Sequence, residues 1–112
     1  MMSAETEIRQ ISPAELNRML ASGEKVHIID IREDHERASF QLPSRHIPMA
    51  DVMSNIDHIP TDVPVVIHCQ SGQRASAVIY ALENKYGYSN LYNLEGGINA
   101  WLNCFPESKT TI

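Results

Sequence analysis

The sequence predicts an α/β domain with a mainly parallel central sheet flanked by helices on both faces, and three features of its 112 residues predict it. Residues 26–31 and 63–68 are short, apolar and rich in β-branched side chains, the pattern of strands buried on both sides. Segments with helical periodicity alternate with these strands, as crossovers between parallel neighbours require. Hydrophobic residues make up 43% and charged residues 21%, a globular balance with no repeat, low-complexity tract or Gly/Ser linker to divide it. Residues 1–112 are therefore expected to form a single domain, with residues 1–7 as a flexible N-terminus.

The elements follow in order. Ser12 supplies an N-cap hydroxyl, Pro13 suits the first helical position, and Glu15 completes a capping box. Leu16, Met19 and Leu20 then form an apolar stripe, and Gly23 offers a left-handed stop, so a short amphipathic helix is expected. The first strand covers residues 26–31. Residues 34–40 and 51–59 read as short helical or irregular connections, the second closed by Pro60. The strand at 63–68 leads into Cys69, after which Ala75, Val78, Ile79 and Leu82 recur at helical spacing and mark a helix starting near Arg74. A last strand over 90–94 precedes Gly96-Gly97 and a helical turn through Trp101.

A formal charge of -5 argues against nucleic acid as a partner, because that affinity rests on a basic surface neutralising phosphates. Two cysteines, Cys69 and Cys104, are too few for a disulfide framework and form no CxxC pair, which suits a reducing compartment. The N-terminal ten residues hold charges and no apolar run, unlike a secretory signal, and no stretch is long and apolar enough for a membrane span. A cytoplasmic protein without a membrane partner is expected.

The chemistry points to Cys69. It ends a buried strand and opens a short polar loop, Gln70-Ser71-Gly72-Gln73-Arg74-Ala75, that runs into a helix. Loop amides and a helix N-terminus both favour negative charge, so Cys69 is expected to be a poised nucleophile. Gly72 lets the loop turn and brings amides close to an anion. Arg74 adds a permanent charge with a forked set of donors.

Four stretches, in order, resemble landmarks of the rhodanese family over nearly the whole chain. They are Ile11-Ser12-Pro13-Ala14-Glu15-Leu16, then Ile29-Asp30-Ile31-Arg32-Glu33 with Glu36, then Val66-Ile67-His68-Cys69 with its loop, and Leu94-Glu95-Gly96-Gly97-Ile98-Asn99-Ala100-Trp101. The resemblance implies a thiosulfate or persulfide sulfurtransferase without a cofactor. Cys69 would accept sulfane sulfur from a small sulfur-containing anion or a persulfide donor and pass it to a thiophilic acceptor, such as a small thiol or a protein. Gln70, Ser71, Gly72, Gln73, Arg74 and Ala75 would bind the substrate, their amides holding the terminal sulfur while Arg74 attracts an anionic donor and its leaving group. Phosphatase relatives of the family place five residues between cysteine and arginine; the four here form a smaller cradle, better suited to a persulfide than to phosphate. An alternative is a non-turnover relay or interaction module serving a partner enzyme, docking through residues 94–101 and the segment near Gln41. Some relatives work beside enzymes that load sulfur onto ubiquitin-like carriers.

Many members carry Gly-His-Ile followed by Gly-Ala where this chain reads Phe40-Gln41-Leu42-Pro43-Ser44-Arg45-His46-Ile47-Pro48, a region expected to flank the pocket. Asp30, Arg32 and Glu36 read as a structural ion-pair network supporting the loop, with Asp30 bracing it from a neighbouring strand. His68 adjoins the nucleophile, but consecutive strand residues point to opposite faces, which argues against a base role. His27, His35, His46 and His58 lack the spacing of metal ligands, so no metal is expected. Ser71 and Gln73 are expected to shape the loop by hydrogen bonding. Cys104 reads as a packing or surface thiol, Gly96-Gly97 as a tight turn, and Trp101 as a core or interface aromatic.

Overall fold

The computed structural model describes residues 7–110, with side chains described through Ser108. Of the flexible N-terminus expected over residues 1–7, all but Glu7 lies outside the described residues.

Five short strands form one sheet: β1 (Gln10–Ile11), β2 (His27–Asp30), β3 (Arg45–His46), β4 (Val65–His68) and β5 (Leu91–Leu94). Their order is β1-β5-β4-β2-β3 and every pairing is parallel. The helices are α1 (Pro13–Ser22), α2 (Asp34–Arg37), α3 (Gln73–Tyr86) and α4 (Gly97–Cys104). Two 3-10 segments, Met49–Asp51 and Met53–His58, occupy the connection expected at 51–59.

Strand order and crossover handedness decide which face each helix covers. The steps β1→β2 and β2→β3 run across the sheet in one direction, whereas β3→β4 and β4→β5 run in the other. Right-handed crossovers therefore place α1 and α2 opposite the 3-10 segments and α3. The two cores agree. Ile29, Ile31, Val65 and Ile67 pack with Val52, Ile59, Val78, Ile79 and Leu82 on one side, and Ile28, Val66 and Leu94 pack with Leu16, Met19, Ile98 and Trp101 on the other. Because the chain leaves β2 toward one edge and β4 toward the other, a crevice opens beyond their carboxyl ends. Cys69 follows directly after β4 there.

The α1 start follows from its sequence: Ser12 Oγ accepts the Glu15 N–H at 3.1 Å, Pro13 stands in the first turn, and Gly23 closes the helix with φ 76°. The reciprocal half of the capping box does not form, because both carboxylate oxygens of Glu15 accept from Arg18 on the next turn. Leu20, expected on the apolar stripe, is 38% exposed, leaving Leu16 and Met19 to bury that face. The edge strands β1 and β3 were not foreseen. Each is two residues long and held only by its register with a neighbour, so no run of β-branched residues announces it.

Candidate active site

The thiol of Cys69 sits at the head of α3, where the first N–H groups of a helix have no intrahelical acceptor. Sγ takes two of the amides available there, Gly72 N–H at 3.1 Å and Ala75 N–H at 3.4 Å. Gly72 makes this possible with φ 102°, turning the chain so that its own N–H faces back to the sulfur. Cys69 is 1% exposed and also touches the apolar core beneath α3, so its sulfur is recessed at the floor of the loop. Of the six residues expected to cradle an anion, Gly72 and Ala75 aim their amides at Sγ in this state.

The loop is clamped from both sides. From β2, Arg32 reaches beneath it: Nη1 donates to Gln70 Oε1 at 3.0 Å and to Glu36 O, and Nη2 donates to Phe40 O and to Asp30 Oδ2 at 3.0 Å. Arg32 is 1% exposed. A guanidinium this deep needs every donor engaged, since an isolated buried charge costs several kcal/mol. Arg37 places a second guanidinium on Asp30, at 3.0 Å. Burial, the largest single influence, pushes the Asp30 carboxyl up, but Arg32, through its side-chain and backbone hydrogen bonds and its charge, holds it below its ordinary value. Asp30 thus reaches the loop through Arg32 rather than directly.

From the other side, α4 docks end-on. Ile98 N–H donates to Cys69 O and Asn99 N–H to Gln70 O, both at 3.0 Å, while Asn99 Oδ1 accepts from Gln70 Nε2 at 2.8 Å. Gly97 lies so close to this backbone that a Cβ there would stand 2.6 Å from Cys69 O and from both atoms of the Gln70 carbonyl. It therefore does more than permit the turn foreseen for Gly96-Gly97. Asn93 on β5 completes the clamp, donating to Gly72 O at 3.1 Å and Ser76 Oγ at 2.9 Å. Sequence reasoning missed Asn93 and Asn99. The available signal for Asn93 was an amide between Tyr92 and Leu94 inside an otherwise apolar strand segment, where a polar side chain needs partners.

Ser71 and Gln73, expected to shape the loop by hydrogen bonding, are exposed, and Gln70 is the loop side chain tied down on both sides. Arg74 was expected to offer its fork of donors to an anionic donor and its leaving group. Its fork is instead closed on Glu36, Nη1 to Oε1 at 2.9 Å and Nη2 to Oε2 at 2.7 Å. The Arg74 hydrogen bonds, reinforced by the Glu33 N–H and by the charges of Arg74 and Arg32, hold the Glu36 carboxyl at about 2 against the effect of burial.

His68 lies on the opposite sheet face from the thiol, in register beside Asp30. Burial holds its imidazole down to about 4, so it is neutral at ordinary pH and directed away from the nucleophile. Cys104 is exposed at the far end of α4, roughly 10 Å along the axis from Gly97, whereas Cys69 is buried in the loop that the start of α4 contacts. Leu94, Ile98 and Trp101, offered by the relay alternative as docking residues, are buried in the core around α1. Trp101 packs against Phe105 with the rings tilted by 50° and their centroids 4.8 Å apart, and it donates to Ser108. No helix among the described residues is long and apolar enough to cross a membrane.

Comparisons with known proteins bear on what this geometry is for. A family profile described as "Rhodanese-like domain" matches residues 12–104. A protein named "Sulfurtransferase" from Allochromatium vinosum is 36% identical over 96 residues, 84% of this chain and 88% of its own length. Thiosulfate sulfurtransferase GlpE of Ectopseudomonas mendocina is 28% identical over 102 residues, covering 90% of this chain and 91% of its own. Among solved structures, a rhodanese-like domain protein from Staphylococcus aureus superposes with a TM-score of 0.76 at 30% identity, over 84% of this chain and 91% of that one. The human single-domain sulfurtransferase superposes at 0.72 with 26% identity, over 87% and 97%.

Proposed function

The chain belongs to the rhodanese-like domain family, and from that premise we propose that it transfers sulfane sulfur through a persulfide on Cys69. The donor is a thiosulfate-type anion or a persulfide, and the acceptor a thiophile such as a small thiol or a protein thiol. The observation that carries this is the pair of amides at the head of α3 directed at Sγ, a fixed electropositive seat for a sulfur anion.

In the first half-reaction the Cys69 thiolate attacks the donor's outer sulfur. The bond between that sulfur and the rest of the donor breaks, and the leaving group departs with the bonding pair. The outer sulfur of the resulting persulfide is joined to Sγ by a bond of about 2 Å. In the second, an acceptor thiolate attacks that sulfur and returns Cys69 as a thiolate, two easier steps replacing one direct transfer. Both leaving groups depart as anions, so neither step calls for a general acid. That fits a loop with no acid of its own and a His68 turned to the other face of the sheet.

The bracing from Arg32, Asn93 and α4 supports the same mechanism, because amides stabilise developing charge best when they need not reorganise. The test is intact-mass measurement after incubation with thiosulfate and with glutathione persulfide. One added sulfur atom on Cys69, removed by excess thiol and absent in Cys69→Ser, is expected. No added sulfur on the wild-type protein from any such donor would sink the proposal.

A further inference from the structure

We infer that Glu36 sets the charge preference of this site: by occupying the Arg74 fork it disfavours the thiosulfate dianion and favours singly charged donors such as persulfides. This rests on the sulfurtransferase reading and names its substrate class.

An anion-binding arginine works through paired N–H donors that meet two oxygens at once. Here both terminal nitrogens of Arg74 already meet the two Glu36 oxygens at 2.9 and 2.7 Å. Glu36 is itself anchored, since its Oε1 also accepts the Glu33 N–H at 2.9 Å and so ties the carboxylate to the first turn of α2. The side chains of Arg74 and Glu36 are 35% and 20% exposed, so the pair is open to solvent, and Arg74 stands near enough to Cys69 for their charges to interact. Of the neighbouring guanidiniums, Arg32 has every donor engaged on Asp30, Gln70, Glu36 and Phe40, and Arg37 is held on Asp30 through Nε.

A donor that recruits Arg74 must therefore displace a bidentate carboxylate and leave its charge nearby. That penalty grows with the donor's own negative charge. Attraction of the Cys69 thiolate for Arg74 is correspondingly offset, while the amides at the head of α3, which carry no net charge, remain available to one sulfur anion.

Thiosulfate and methanethiosulfonate separate charge from chemistry. Each presents an outer sulfur on a sulfonyl sulfur. The Cys69 thiolate forms the new S–S bond to that outer sulfur while the old one breaks, releasing sulfite from the dianion and methanesulfinate from the monoanion, with no oxidant or reductant required. Formation of the Cys69 persulfide is followed by mass under pseudo-first-order conditions. In Glu36→Gln, whose single amide oxygen can still accept from the Glu33 N–H and Arg74 Nη1 as Oε1 does while an uncharged NH2 replaces Oε2, the thiosulfate rate relative to methanethiosulfonate is expected to rise roughly tenfold, the effect of one more unit of donor charge near a lost carboxylate. A purely structural loss would lower both rates together and leave the ratio unmoved, which would overturn the inference.

The wild-type protein supplies a second readout that does not depend on the variant folding. Added salt should raise the thiosulfate rate relative to that of the monoanion by screening repulsion, whereas a fall in that ratio would mean a net attractive site and would also overturn it. If the wild-type protein gains no sulfur from either donor, the parent proposal fails and takes this one with it; if sulfur is gained but the ratio stays fixed, this inference fails alone.

Discussion

Gly97→Ala is the sharpest probe of how the loop is held, because Gly97 touches no substrate in the proposed mechanism. An added Cβ would meet Cys69 O and the Gln70 carbonyl at 2.6 Å, all of it backbone, where ordinary contact begins at 3.4 Å. The loop or the end of α4 must retreat by about 0.8 Å, and the bonds from Ile98 N–H and Asn99 N–H to those same carbonyls oppose the retreat. Such crowding typically costs about 1–3 kcal/mol, and the left-handed backbone at φ 61° adds roughly 1 kcal/mol for a residue with a Cβ. Gly23→Ala isolates the second effect, since Gly23 has a similar φ of 76° and nothing within 4 Å of its missing Cβ. Thermal unfolding should show a fall of roughly 10 °C for Gly97→Ala against roughly 4 °C for Gly23→Ala. A displacement near 1 Å at reacting groups costs roughly a hundredfold in rate, so persulfide formation should slow by about that factor in Gly97→Ala and stay unchanged in Gly23→Ala, assayed below both melting temperatures. Equal losses in the two variants would refute the claim that α4 sets the position of the loop.

Arg32→Met leaves Asp30 buried with one guanidinium fewer and frees Gln70, so chemical denaturation should show a loss of about 3–5 kcal/mol; a change below 1 kcal/mol would mean the network is dispensable. His68 titrates near 4 folded and near 6.5 unfolded, so the unfolded chain binds the extra proton between those values. Its contribution is complete above pH 6.5 and is lost as pH falls toward 4, by about 3 kcal/mol. Glu36, near 2 folded and 4.5 unfolded, adds a further loss from 4.5 downward. His68→Asn should flatten the stability profile between pH 6.5 and 4 while leaving the lower step, and an unchanged profile would exclude His68 as the source. Cys104→Ser should leave sulfur transfer to small thiols unchanged in steady-state assays, because Cys104 is exposed at the end of α4 away from the loop that holds Cys69; a large fall would show that the two thiols meet.

The alternation of strands and helices was readable because its signals are local. The start of α1 is written in Ser12 and Pro13, and that of α3 in Gly72 and the Ala75, Val78, Ile79, Leu82 spacing. The two edge strands were not readable, because two residues carry no periodicity of their own. Cys69 stood out for the same local reason: strand end, glycine loop and helix start adjoin it in the chain. Asn93 and Asn99 did not, since their partners Gly72 and Gln70 are 21 and 29 residues away.

The sequence by itself determined the main helices, the central strands, the parallel α/β class and the loop that carries the thiol, because short-range periodicity, capping and turn chemistry depend only on neighbours in the chain. Only the tertiary structure decided that Arg74 is closed on Glu36 across 38 residues, that Arg32 braces Gln70, and that Gly97 is pressed against the loop. Each of these is a choice among several chemically eligible partners, and the sheet order, which brings β2 and β5 to either side of β4, makes it.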